Sequence, residues 1–111
     1  MEPKCAWIDH CVDLNVLFAM ELRQRGIQLD ARRTLDEFLS EFDLKDYPVL
    51  LYHPGIKEQH NLQKVVEKYP DITLALITAP CSGTDYKRIQ SDIPIFTYDV
   101  DSVEKFIRDN Q

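Results

Sequence analysis

Apolar and polar positions alternate between two periods along this chain, and the switching divides it into strand and helix units. Cys5-Ala6-Trp7-Ile8 is a short apolar run closed by polar residues, the pattern of a buried strand. Leu14, Val16, Leu17, Phe18 and Met20 follow at helical spacing, and Gly26 supplies a left-handed stop. Ile27–Ala31 alternates as an edge strand does, and Thr34 with Glu37 forms a capping box ahead of Leu35, Phe38, Leu39 and Phe42. Pro48–Tyr52 is a continuous apolar run suited to a central parallel strand. A third helix carries Leu62, Val65, Val66 and Tyr69 and ends before Pro70. The strongest strand signal runs from Ile72 to Thr78. A short polar helix is expected over Thr84–Ile89, then a strand over Ile93–Thr97. A last helix, capped by Asp101 or Ser102, buries Val103, Phe106 and Ile107.

Strands and helices that alternate throughout imply a parallel sheet with helices on both faces. Right-handed crossovers then lead to an α/β, three-layer (βα)5 fold of flavodoxin-like type, five strands in the order 2-1-3-4-5. No linker divides residues 1–111, so one domain is expected, a length compatible with excision from a longer signalling protein.

Composition narrows the function classes. A hydrophobic content of 44% supports a genuine core, and a net charge of −6 argues against direct nucleic-acid binding, which needs a basic patch. No apolar run is long enough to span a bilayer. Cys5, Cys11 and Cys81 make no C-x-x-C pair and leave an odd thiol, which fits a reducing, cytoplasmic compartment with the thiols as small buried hydrophobes. Cys81 also opens a Cys-Ser-Gly-Thr loop, but Arg88 lies one place too far for a Cys-x5-Arg phosphatase loop, so a simple turn is expected there.

In an open α/β sheet, reacting groups gather beyond the carboxyl ends of the strands. That rim is expected to hold Asp9, His10, Tyr52, Thr78 and Tyr98.

These residues, in this order, resemble the receiver domain of two-component response regulators. Ile8-Asp9-His10 looks like that family's acidic first-strand ending, Val49-Leu50-Leu51-Tyr52 with Pro54-Gly55 like its third strand and loop, and Ile77-Thr78-Ala79 like its fourth-strand ending. Phe96-Thr97-Tyr98 falls where a Thr-Lys pair usually stands. The resemblance implies a phosphate-switch ancestry and a partner or dimer face formed by the fourth helix, fifth strand and fifth helix, here carrying Tyr86, Phe96 and Tyr98 as candidate contact residues.

The departures imply a pseudo-receiver. Tyr52 stands where a phosphate-accepting carboxylate is expected, His10 where a second metal-holding acid is expected, and Tyr98 (or Thr97) where a lysine is expected. Phosphoryl transfer rests on positioning and charge neutralisation, and Mg²⁺ prefers carboxylate oxygens. The resulting expectation is a non-catalytic signalling domain that works by protein–protein interaction, with no cofactor and no metal. His10, His53 and Asp9 could converge and take Zn²⁺, but their spacing matches no recognised metal signature, and polar rim histidines are the simpler expectation. The alternative function is a small flavodoxin-like enzyme or a ligand- or metal-binding domain that uses the strand-end pocket.

Overall fold

The computed structural model describes residues 2–53, 59–78 and 93–111, and their side chains except those of 59–61. A five-stranded sheet in the order β2-β1-β3-β4-β5 is built from β1 (Lys4–Asp9), β2 (Gln28–Arg32), β3 (Val49–His53), β4 (Thr73–Ile77) and β5 (Ile95–Phe96). Every neighbouring pair is parallel. The expected topology is therefore present. The described helices are α1 (Val16–Gln24), α2 (Leu35–Glu41), α3 (Gln59–Lys68) and α4 (Val100–Asp109), the last being the fifth of the sequence pattern. The helix expected over Thr84–Ile89 lies outside the described residues.

Strand parity sorts the core into two layers. Successive side chains of a strand point to opposite faces. Cys5 and Trp7 of β1 therefore share a face with Val49 and Leu51 of β3 and Ala75 and Ile77 of β4, covered by Phe18, Ala19 and Leu22 of α1 and by Val103 and Ile107 of α4. Ala6, Ile8, Leu50, Tyr52 and Leu76 point the other way, against Leu35, Phe38, Leu62, Val65 and Tyr69. Trp7, Ile8, Leu50 and Leu51 are completely buried, and each such side chain contributes about 1.5–3 kcal/mol of transfer free energy.

Local signals close the elements. Thr34 Oγ1 accepts from the Glu37 amide at 3.1 Å, as the capping box requires. Gly26 adopts a φ of 91°, and Ile27 N donates to Leu22 O while Gly26 N donates to Arg23 O, a Schellman stop for α1.

Four expectations need correction. The first helix does not bury Leu14, Leu17 and Met20, because a 3₁₀ turn over Val12–Asn15 precedes α1 and turns the core-facing stripe to Phe18, Ala19 and Leu22. Leu14 and Leu17 are left 84% and 80% exposed. The fifth strand is only Ile95–Phe96, and Asp99, rather than Asp101 or Ser102, stands at the N-cap of α4. The third strand runs one residue beyond Tyr52, to His53.

The C-terminal end of α1 is joined to the length of α4 by a charge network. Arg25 pairs with Glu21, Asp101 and Glu104, and Glu104 also pairs with Arg108, which donates to the Arg25 carbonyl. Arg108 and then Arg25 hold the Glu104 carboxyl below its ordinary range, so its contribution is present at neutral pH and lost as the pH falls through the lowered value. Glu104→Gln is expected to lower the denaturation midpoint at pH 7. The gap to wild type should close on acidification below the ordinary carboxylate range, which urea titrations at a series of pH values would measure.

Candidate functional site at the strand-end rim

Apart from tyrosine, tryptophan and cysteine, the buried polar side chains among the described residues are Asp9, His53 and Thr78. Each stands at or just past the carboxyl end of β1, β3 or β4. A protein interior tolerates such groups only where they are partnered, and their concentration here marks one end of the sheet as built for polar chemistry.

Asp9 ends β1 with no exposed surface. Its Oδ1 accepts from the Cys11 amide at 2.8 Å, a local turn that carries the chain away from the strand. Its Oδ2 accepts from the Tyr98 hydroxyl, across 89 residues of sequence. The Tyr98 ring is fixed edge-on against Phe18 at 5.4 Å and Trp7 at 6.4 Å, and Trp7 in turn meets Phe18 at 5.4 Å. Aromatic rings favour such T-shaped packing, so the trio positions the phenol over the carboxylate. Among the described residues no salt bridge reaches Asp9, and the donors seen on its carboxylate are neutral.

His53 sits directly across from Asp9 in the parallel register and shares its face of the sheet. Its Nδ1 lies 2.7 Å from the Ile77 carbonyl. A carbonyl only accepts, so Nδ1 is the donor in this contact. His10, exposed one residue beyond β1, brings its ring centroid to 4.8 Å from that of His53. Ligand atoms of Asp9, His10 and His53 all lie within 4.8 Å of one another.

The remaining rim candidates are placed differently. Tyr52 pairs with Ile8 on the opposite face and is fully buried in the layer under α2 and α3. Thr78 is buried beside the β4–β5 ladder, where its amide donates to the Phe96 carbonyl at 2.9 Å. Phe96 and Tyr98, the candidate contact residues, are half-buried, Phe96 against Phe106 and Tyr98 in the aromatic trio. Tyr86 lies outside the described residues. The structure thus brings Asp9, His10 and Tyr98 together and adds His53 to them. Strand parity carries the signal for His53, because Trp7, Asp9, Leu51 and His53 fall on one face once the third strand is extended by a residue.

A cavity of about 450 Å³, lined by Tyr47, Pro48, Tyr69 and Ile72 among others, opens at the amino ends of β3 and β4, away from these polar groups.

The same arrangement of sheet and helices recurs in solved structures. A response regulator from Thermotoga maritima matches over 97% of this chain and 99% of its own, with a TM-score of 0.69 and 14% sequence identity. An orphan response regulator of H. pylori matches over 96% of this chain and 94% of its own, with a TM-score of 0.69 and 12% identity. The chain has the receiver fold. At these identities the likeness is one of fold. No protein-family model and no curated protein matches the sequence.

On this receiver fold the environments of the two described thiols, Cys5 within β1 and Cys11 just past it, disfavour the thiolate. Burial pushes the Cys5 thiol far up. Partial burial and then the Asp9 charge raise that of Cys11, lowering its thiolate fraction at neutral pH. Cys11 is therefore expected to alkylate more slowly than an ordinary thiol at pH 8. Asp9→Asn should speed the reaction, followed by mass spectrometry of the Cys11 peptide; an unchanged rate would show that the carboxylate charge does not reach the thiol.

Proposed function

We propose that the chain is a non-catalytic, cytoplasmic signalling domain of receiver type, spanning residues 1–111, that acts through protein contact without aspartyl phosphorylation. The observation that carries this reading is the end of β3. Its last two residues are Tyr52 and His53, and neither is a carboxylate. Tyr52 is directed into the core, and the residue that faces Asp9 is an imidazole. A phosphoryl group arriving beside Asp9 would find no acyl acceptor on that strand.

Charge compensation at the rim points the same way. A working receiver takes Mg²⁺, which wants oxygen ligands in octahedral array. One carboxylate flanked by two imidazoles fits that ion poorly. Where a cation would neutralise transferring phosphate, the Tyr98 phenol donates to Asp9 instead.

Surface character supports contact with protein rather than nucleic acid or membrane. The net charge of −6 disfavours a polyanionic partner, and no described helix is long and apolar enough to cross a membrane. On the expected partner face, the exposed apolar side chain among the described residues is Ile95. Leu14, Val16, Leu17 and Met20 add exposed apolar surface on and before α1, more than isolated surface hydrophobes require.

Incubation with acetyl phosphate and Mg²⁺ tests the reading. The intact mass is expected to stay unchanged. A phosphate adduct labile to both acid and base, and mapped to an Asp or Glu, would overturn it.

A further inference from the structure

We infer that Asp9, His10 and His53 form a binding site for a divalent transition-metal ion of the zinc class. The site goes beyond the function proposed above and does not depend on it. Three independent observations converge on it.

The first is the donor set. Two imidazoles and one carboxylate suit zinc and its neighbours, whereas hard Mg²⁺ and Ca²⁺ seek oxygen. Their ligand atoms lie within 4.8 Å of one another, against about 3.3 Å between ligands in a tetrahedral zinc site with bonds near 2.0–2.1 Å. Asp9 and His53 are set by paired strands, while His10 is exposed beyond the end of β1. His10, exposed beyond the strand, is the ligand that the sheet constrains least.

The second is the shell behind the ligands. Metal-bound histidines characteristically donate their other ring N–H to a carbonyl or carboxylate, which fixes tautomer and orientation. His53 Nδ1 does this to Ile77 O at 2.7 Å, so a metal would be taken by the other ring nitrogen. The Asp9 carboxylate is likewise oriented, by the Cys11 amide on one oxygen and the Tyr98 hydroxyl on the other. Each oxygen retains a second lone-pair direction for a metal.

The third is charge. Asp9 is fully buried, and no described cationic side chain pairs with it. Removing a carboxylate from water is costly, and a divalent ion at the position where the two imidazoles meet it would offset that cost. Three protein ligands leave a coordination position for water or for a further group.

Titration of tag-free full-length protein with Zn²⁺ alone, followed by calorimetry and by competition with a chromophoric chelator, tests the site. One ion per chain is expected. His10→Ala, at an exposed position, should weaken binding about tenfold or more, since even an outer-shell partner is worth that much. Substitution of Co²⁺ gives a second reading through its visible ligand-field spectrum, which the wild type should show and His10→Ala should lose. His53→Ala is scored only if its circular dichroism matches wild type, and it should then behave as His10→Ala does. Absence of stoichiometric Zn²⁺ binding overturns the inference. So does binding that survives His10→Ala unchanged, or that is abolished by Cys11→Ser alone.

Discussion

A carboxylate buried at the end of a sheet has to be answered by donors, and that constraint orders the rest of this rim. Asp9 meets it with two neutral partners, the Cys11 amide within the next turn and the Tyr98 hydroxyl from beyond β5. The second bond ties the end of β1 to the segment leading into α4. It is held by packing, because Tyr98 is wedged against Phe18 of α1 and Trp7 of β1. The aromatic trio, the carboxylate and the α1–α4 layer therefore form one unit on one face of the sheet. Strand parity places His53 on that same face, and the turn after β1 adds His10.

The receiver fold and its chemistry separate cleanly at this site. Continuous apolar strands, parallel pairing and two helical layers reproduce the frame seen in response regulators. The groups at the strand ends differ in kind from those that phosphoryl transfer needs. A phenol supplies a hydrogen bond where transfer would need positive charge, and imidazole replaces oxygen where Mg²⁺ would need it. Such a rim can hold a proton, a hydrogen bond or a softer metal far more readily than an acyl phosphate.

Much of this frame was legible in the sequence, for physical reasons that vary along the chain. Pro48–Tyr52 and Leu74–Ile77 are apolar at consecutive positions, as suits a short strand covered on both faces. Gly26 and the Thr34–Glu37 pair name helix ends because their geometry is local. The face of α1 was not legible in this way. Leu14, Val16, Leu17, Phe18 and Met20 fill most of its circumference, and the 3₁₀ turn that decides which of them turn inward carries no periodicity of its own. The partnership of Tyr98 with Asp9 spans the whole domain and could be found only once the sheet order was known. His53 was displaced from notice by one residue, since a strand read as ending at Tyr52 puts the wrong side chain at the rim.

The coupling between Asp9 and Tyr98 is the point on which the account turns, and a double-mutant cycle measures it directly. Asp9→Asn, Tyr98→Phe and the double variant would be unfolded in urea at pH 7 alongside wild type. A hydrogen bond to a charged acceptor predicts a coupling free energy of about 1.5–3 kcal/mol, with Tyr98→Phe costing much less once Asp9 is neutral. Additive effects, with no coupling beyond experimental error, would contradict the account.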